Sequence, residues 1–218
     1  MSGQKQLKTT REQVVAAALR VADETGIEGL TIRAVASEAR TPPMSLYSHF
    51  GKKEDLLDLM YEQICQQIYP GPEHETWQAA LTRFCHNLRE VLLAHPAWVP
   101  LLSRPAPVLA LPGRERILQL MTRDGLPAEQ SMSMLSSAGM FGLGLVMVEL
   151  SCRNGDVVSG LAKRYENLRA SSDDADFAAK NPITRLALKQ APTLDLSENY
   201  RIMVDAFVAG LDLRARSA

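Results

Sequence analysis

Residues 30–57 read LTIRAVASEARTPPMSLYSHFGKKEDLL and contain the signals of two short helices joined by a tight turn. Thr31 is a good N-cap for a helix over 32–39. Residues 40–43 form a turn, and its last proline suits a first helical turn, where its missing N–H would have no partner anyway. We therefore predict another helix over 43–49. The pair is a helix-turn-helix, whose second helix can enter the major groove of DNA.

Longer helices are predicted on both sides of this motif. Thr9 and Glu12 have capping-box spacing, and the apolar residues that follow recur at helical intervals, which predicts a helix over 10–25. After the motif, a second amphipathic pattern predicts a helix from 54 to about 69. This later helix is expected to link the head of the protein to its body.

The rest of the chain also follows a helical pattern and contains no convincing strand signal. Further helices are predicted over 75–94, 105–123, 128–151 and 197–215. Polar residues 153–182 are expected to form a mobile excursion with room for a short helix. The predicted fold class is all-α. A three-helix helix-turn-helix domain occupies residues 1–53, and a helical bundle occupies residues 54–218.

Composition and charge favour a DNA-binding head. The 218 residues are 46% hydrophobic and 22% charged, as in ordinary globular proteins. The net charge is only −1, yet residues 1–53 hold eight basic and five acidic side chains, so the head is basic and the remainder acidic. The separated cysteines Cys65, Cys85 and Cys152 predict neither a disulfide framework nor a zinc site. The N-terminus lacks the apolar stretch of a secretory signal, so we expect a cytoplasmic protein.

The second short helix offers several side chains to DNA. They are Met44, Ser45, Tyr47 and His49. The polar three can hydrogen-bond phosphates or base edges, and the methionine offers an apolar surface to a thymine methyl. The alternative is that Tyr47 and His49 only cap a small core, whose expected members are Leu46 and Phe50.

The same stretch resembles the signature of the tetracycline-repressor (TetR) family of bacterial regulators. The positions in register are Leu30-Thr31, Arg33, Ala36 to Ala39, Leu46-Tyr47, His49-Phe50, Lys53 and Leu56-Leu57. The resemblance implies that Thr31, Arg33, Pro43 and Lys53 also belong to the DNA-binding surface, with Arg33 reaching a guanine edge or a phosphate. A lysine at a helix N-terminus opposes the helix dipole, so a phosphate contact explains Lys53 better than stability does.

Two departures from the family pattern lie in the turn. Arg40 and Thr41 stand where the family usually has Gly and then Val. The first of these positions often needs a positive φ, which costs free energy for any residue with a Cβ. We therefore expect mild backbone strain at Arg40.

The resemblance continues more faintly into the body, toward the tetracycline repressors themselves, and implies an all-α domain for ligand binding and dimerisation. The pocket candidates that it supplies, together with the apolar residues of the bundle, are Tyr69, Phe84, Leu88, Pro100, Ser103, Arg104 and Met140. Pro100 and Met140 stand where the tetracycline repressors have histidines, of which the first holds the drug-bound magnesium. Proline has no ligating side-chain atom, so we expect no metal site, no cofactor and an inducer other than tetracycline.

Residues 131–148 carry no charge and approach the length of a membrane span. Their glycines and serines, and Glu129 and Glu149 on either side, instead favour close packing at a subunit interface and no membrane contact. The last predicted helix has a matching apolar stripe, which consists of Tyr200, Met203, Val204, Phe207 and Leu211. Two such helices from each subunit would form a four-helix dimer interface. The two heads would then meet half-sites about one DNA turn apart, roughly 34 to 36 Å, or a near multiple of that distance.

The leading functional hypothesis is a ligand-responsive repressor that binds a palindromic operator as a homodimer and is released by a small-molecule inducer. The sign of regulation comes from the family resemblance alone. An all-α enzyme is the second class, but no catalytic constellation stands out in the sequence. A third hypothesis is a DNA-binding regulator controlled by a protein partner. A largest body cavity smaller than about 300 Å³ would favour that third hypothesis.

Overall fold

The computed structural model describes residues 9–69, 71–72, 74–105, 112–154, 159–190 and 195–216. Every regular element within these ranges is helical, which confirms the predicted all-α class. The helices are α1 (Arg11–Gly29), α2 (Ile32–Glu38), α3 (Pro43–Leu46), α4 (Lys53–Ile68), α5 (Trp77–Ala94), α6 (Val99–Leu102), α7 (Pro112–Arg123), α8 (Ala128–Asn154), α9 (Ser159–Ala170), α10 (Ala175–Lys180), α11 (Pro182–Gln190) and α12 (Leu196–Arg216). Short 3-10 helices lie at Pro96–Trp98 and Ser171–Asp173.

The N-terminal cap of α1 lies one residue later than predicted. Thr10, not Thr9, accepts a hydrogen bond from the backbone N–H of Gln13 at 3.3 Å, and the Gln13 side chain accepts one from the Thr10 N–H at 2.9 Å. Glutamine serves as well as glutamate in a capping box, so both registers are compatible with the sequence. The helix also kinks at Gly26 (φ 73°) and continues to Gly29, beyond the predicted end at residue 25.

The turn between α2 and α3 adopts the conformation that the sequence predicted. Thr31 caps α2 by accepting from the N–H of Ala34 at 3.1 Å. At the other end, Arg40 has φ 51° and donates its N–H to Ser37 O, while Thr41 donates to Ala36 O. These two bonds form a Schellman motif, whose left-handed position is usually glycine. The expected strain at Arg40 is therefore present.

The first three helices enclose a small core. Leu30, Val35, Leu46 and Leu56 are each at most 1% exposed, and Phe50 is 5% exposed. The helix of α3 ends at Leu46 rather than at residue 49, although hydrogen bonds from the N–H groups of residues 48 and 49 extend it as turns. The predicted core assignment of Leu46 and Phe50 is confirmed. The short recognition segment thus rests on buried side chains.

The described residues divide into two compact units, Met1–Ser131 and Met132–Ala218. In the first unit, α1 packs against α2, α4 and the 3-10 helix Pro96–Trp98. His95 stacks on Trp98 with ring centroids 3.8 Å apart, and its Nδ1 lies 2.9 Å from Asp23 Oδ2 on α1. The head is therefore tied to helices outside residues 1–53.

The described part of residues 153–182 contains more helix than the single short helix for which the sequence analysis left room. Helices α9 and α10, a 3-10 helix and the first residue of α11 fall in this stretch. Asp174 caps α10 by accepting from the N–H of Phe177 at 2.8 Å. No α10 residue is buried, so local capping rather than apolar periodicity marks this helix. For the helix predicted over 105–123, residues 106–111 lie outside the described residues.

Candidate DNA-binding surface and effector cavity

The recognition segment presents an exposed face above the buried Leu46. Met44 is 79% exposed and Tyr47 is 46% exposed. Pro43 and Ser45 are exposed as well, and His49 is half-buried. The Tyr47 ring contacts Phe50 at 5.9 Å between centroids, with the rings tilted by 55°. One edge of this tyrosine thus packs on the core while nearly half of the side chain remains available to a partner.

Two predicted contacts lie at the start of α2. The Arg33 side chain is exposed. Thr31 is also exposed, and its hydroxyl oxygen already accepts the capping hydrogen bond from Ala34. A hydroxyl can still donate its proton while it accepts, so the capping role leaves a donor for a phosphate oxygen.

The reason given above for a phosphate contact by Lys53 is wrong. Its Nζ donates to the backbone carbonyl of Leu30 at 2.6 Å, a residue 23 positions earlier. This hydrogen bond therefore links the start of α4 to the junction between α1 and α2. At the same helix start, the Asp55 carboxylate accepts from the N–H groups of Gly51 and Lys52, both at 3.0 Å, which offsets the unfavourable lysine charge. DNA contact by Lys53 remains a prediction.

A second candidate site is a small cavity between the end of α4, α5 and α7, whose enclosed space of about 10 Å³ is room for about one water molecule. Tyr69 and Phe84 stack in its wall with centroids 4.7 Å apart and an interplanar angle of 23°. Burial raises the pKa of Tyr69, so its phenol is neutral at physiological pH.

The polar wall of this cavity contains Glu75, Arg83 and Arg116. The Glu75 carboxylate is 8% exposed and pairs with Arg83 Nη2. Arg116 Nη1 donates to Gly71 O at 2.9 Å. The sequence analysis did not predict these three residues, because charged side chains are ordinarily solvated at the surface.

The predicted pocket residues do not all meet in this cavity. Tyr69 and Phe84 do, whereas Leu88 is buried one turn further along α5 and is absent from the cavity wall. The other candidates outside the wall are Pro100, Ser103 and Arg104, which occupy α6 and the turn after it. Ser103 Oγ donates to Val99 O at 3.2 Å, a local bond of this turn. A ligand role for these four remains a prediction.

Met140 is 70% exposed and lies outside the wall of this cavity, so its assignment to a pocket remains a prediction. It belongs to an exposed stripe on α8, whose members are Met132, Ser136, Met140, Gly144, Met147 and Val148. A second exposed stripe on α12 consists of Ile202, Met203, Ala206, Ala209, Gly210 and Leu213. It differs from the stripe predicted for this helix, of which Tyr200 and Val204 are buried within the protomer. In the described part of the chain, a Cβ added to Gly144 or Gly210 would meet nothing within 4 Å. Both glycines therefore leave helix backbone open to close approach.

By length and composition, residues 128–153 of α8 also pass as a candidate membrane span, with a mean hydropathy of 1.5 in an 18-residue window. One such helix is weak evidence, since core helices of soluble proteins pass the same test. The buried Glu149, which pairs with Arg153 at 3.0 Å, places a charge on this helix. An ionised pair is costly in hydrocarbon.

Two of the three cysteines, Cys65 and Cys85, are buried. Burial raises the pKa of Cys65 to about 11 and that of Cys85 to about 12, so both are neutral thiols. All three cysteines are free of disulfides in the described residues. Within those residues, no group of three His, Cys, Asp or Glu side chains could hold a metal ion.

A short exposed helix behind a tight turn, resting on a buried core next to an all-α body, defines a helix-turn-helix regulator. Residues 14–60 match the family described as bacterial regulatory proteins, tetR family, and residues 69–213 match the tetracyclin repressor-like C-terminal domain. The chain belongs to the TetR family of transcriptional regulators, as the resemblance predicted.

Among its relatives is the HTH-type transcriptional repressor DrrR1 of Streptomyces coeruleorubidus, 31% identical over 70% of this chain and 58% of DrrR1. The match thus spans less than two thirds of that relative. Apo ActR from Streptomyces coelicolor has a similar fold, with TM-score 0.75 and 24% identity over 97% of this chain and 99% of ActR. ActR in complex with actinorhodin gives TM-score 0.71 and 25% identity over 94% and 98% of the two chains.

Proposed function

We propose that this protein is a transcriptional repressor that binds a palindromic operator as a homodimer and is released by a small-molecule inducer. The observation that carries the proposal is the exposed face of α3, with Met44 and Tyr47 projecting from a segment anchored by the buried Leu46. Residues 1–53 form the DNA-binding domain in this proposal, and residues 54–218 bind the ligand and dimerise. The direction of regulation is taken from the repressor DrrR1.

The DNA-binding surface is proposed to consist of two groups of side chains. Tyr47, Ser45 and Met44 reach base edges in the major groove, while Arg33 and Thr31 contact the phosphate backbone or a neighbouring base. Further contacts are assigned to Pro43, His49 and Lys53. Because several phosphates are neutralised, binding should weaken steeply as salt rises.

The dimer interface is proposed to be the exposed stripes of α8 and α12. Large apolar side chains that line one face of a helix are seldom left exposed to water in a monomeric protein. Met140 on α8 is 70% exposed, and Ile202 on α12 is 50% exposed. The open backbone at Gly144 and Gly210 allows helices of a second copy to approach closely. A second copy of this chain covers both stripes, as a self-complementary two-fold interface requires.

Control by a small molecule is proposed because a cavity lies among α4, α5 and α7, and because the similar ActR has been solved with actinorhodin bound. A protein partner is the other candidate controller, since the enclosed space of this cavity is only about 10 Å³, far below the roughly 300 Å³ of typical ligand sites. We favour the small molecule because the similar ActR has been solved with actinorhodin bound.

The proposal is tested by fluorescence anisotropy with a labelled duplex from the protein's own upstream region, titrated with and without a small-molecule library. We expect specific binding that at least one compound releases. Specific binding that only a cellular protein releases would support the alternative controller. Absence of specific binding would overturn the proposal as a whole.

A further inference from the structure

We infer that the exposed Arg40, in the turn between α2 and α3, contacts a phosphate of the operator backbone beside the groove that α3 enters. This inference rests on the proposed function, namely that α3 binds operator DNA. It adds one contact to the proposed DNA-binding surface. The family usually has glycine at this position, and a glycine has no side chain with which to make that contact.

The first step is the backbone of the turn. Arg40 has φ 51° and donates its N–H to Ser37 O at 3.1 Å, while Thr41 donates to Ala36 O at 3.0 Å. Both hydrogen bonds use backbone atoms only, so glycine would form them equally well and without the cost of a Cβ in the left-handed region. The arginine side chain therefore does not stabilise the turn. Backbone strain that local structure does not offset is typical of functional positions.

The second step is the free charge of this side chain. In the part of the chain that the structure describes, the Arg40 guanidinium makes no hydrogen bond and no ion pair. Glu38, only two positions earlier, instead pairs with Arg20 on α1 at 2.6 Å. Glu38 is the single acidic residue of 30–53, which contains four basic residues. The nearby negative charge is thus neutralised, and the charge of Arg40 stays available to an anion.

The third step is the position of Arg40 relative to the groove. Helix α3 begins at Pro43, three residues further on, and three residues span at most about 11 Å. A recognition helix inserts its N-terminal residues into the major groove, which is about 12 Å wide and has phosphates along both edges. Met44, the second residue of α3, is 79% exposed and suits such an insertion. Arg40 therefore lies within one groove width of the inserted residues, at the distance of the phosphates that line the groove.

The fourth step is the chemistry of the contact. A guanidinium presents planar N–H donors that match the oxygens of a phosphate, and such charge-assisted hydrogen bonds are strong. Arg33, near the other end of α2, is exposed as well. At 1.5 Å per helical residue, the seven steps from Arg33 to Arg40 cover about 10 Å. This separation suits two different phosphates, one at each end of α2.

The test measures binding of the full-length wild type and of Arg40→Gly to the labelled upstream duplex and to an unrelated duplex, by fluorescence anisotropy at several salt concentrations. We expect operator binding to weaken at least about tenfold, because each subunit loses a charge-assisted hydrogen bond. The slope of log affinity against log salt should become shallower by about 2, one phosphate for each subunit. The unrelated duplex should also bind more weakly, since a phosphate contact carries no sequence information. The melting temperature should not fall, because the variant removes the strain.

Further variants separate the charge from the backbone conformation. Arg40→Asn tolerates the left-handed conformation but carries no charge, so it should weaken binding as Arg40→Gly does. Arg40→Lys keeps the charge and should retain most of the wild-type affinity and salt dependence. The matched control Arg123→Gln removes a charge from a surface pair with Asp124 on α7 and should change neither quantity.

The possible outcomes distinguish this inference from the proposed function. Unchanged affinity and salt dependence in both Arg40→Gly and Arg40→Asn would overturn the inference, while operator binding by the wild type would stand. Weaker binding to the operator alone, with the unrelated duplex unaffected, would make Arg40 a base contact and overturn the phosphate assignment. A lowered melting temperature in Arg40→Gly together with full affinity in Arg40→Asn would show that the arginine acts on the fold instead. A wild type without specific binding would overturn both proposals.

Discussion

The proposed DNA-binding surface and the proposed effector cavity use polar side chains in opposite ways. On the recognition segment, the exposed Tyr47 is proposed to contact DNA, whereas the buried Leu46 stabilises the fold. Binding and stability therefore depend on different residues. In the cavity, Glu75 is 8% exposed and pairs with Arg83, so the interacting groups also stabilise the fold. The first surface should tolerate substitution without unfolding, whereas changes in the cavity should affect binding and stability together.

The largest effect is expected for Tyr47→Ala. Loss of the central aromatic side chain should reduce operator affinity at least about 100-fold, as for a central interface residue. Because the ring is nearly half exposed, the melting temperature and the dimer should change little. Anisotropy measures the operator affinity, thermal unfolding the melting temperature, and sedimentation the dimer. The control Ile183→Ala, at a 76% exposed position on α11, should bind as the wild type does. Unchanged affinity in Tyr47→Ala would remove this tyrosine from the DNA surface.

The next effect concerns the cavity. Glu75→Gln leaves Arg83 beside a neutral group and should lower the free energy of unfolding by about 1 to 2 kcal/mol, less than for a fully buried pair because the arginine is partly exposed. Asp173→Asn is the matched control, since its pair with Lys189 is at the surface and should contribute less than about 0.5 kcal/mol. Urea unfolding compares the two. Equal losses would contradict the proposed difference between the regions.

Lys53→Met should have a smaller effect on stability, about 1 kcal/mol, because the ammonium loses its bond to the Leu30 carbonyl. Lys52→Met removes the same charge from an exposed neighbour and should leave the unfolding free energy unchanged. Comparing operator affinities of the two variants separates a direct phosphate contact from general electrostatics. If Lys53→Met and Lys52→Met have the same free energy of unfolding, the hydrogen bond from Lys53 to Leu30 does not stabilise the fold.

The smallest effect is expected at the turn. Arg40→Gly relieves the positive φ of 51° and should stabilise the protein by about 0.5 kcal/mol, the difference between left-handed strain and glycine entropy. The neighbouring Ala39→Gly, at an ordinary helical φ of −77°, should destabilise it instead. In thermal unfolding, we expect the melting temperature to rise for Arg40→Gly and to fall for Ala39→Gly. A destabilised Arg40→Gly would show that the arginine side chain contributes more than the strain costs.

Local sequence rules predicted most of the helices and the core of the head. The cap at Thr31 and the left-handed turn at Arg40 agree with the sequence prediction, because caps and tight turns depend on a few neighbouring residues. Lys53 was misinterpreted, since its partner is the carbonyl of a residue 23 positions away. Periodicity also could not separate Met134, which is 5% exposed, from Met140, which is 70% exposed, because a core and a subunit interface require the same apolar side chains.

The cavity illustrates the same limit. Phe84 and Tyr69 were candidates because a resemblance supplied them, and the structure places both in one wall. Arg83 and Arg116 lie on different helices, and no local pattern reveals that their unused donors meet in one cavity. Polar groups that act together across a tertiary packing arrangement are found only once that packing is known.

The most direct test of the central claim is a DNase footprint of the wild-type protein on its own upstream region, repeated with Tyr47→Ala. We predict two protected half-sites related by inverted symmetry, with centres about one DNA turn or a near multiple apart, and loss of both in the variant. Protection without this symmetry, or the same protection in Tyr47→Ala, would contradict the account.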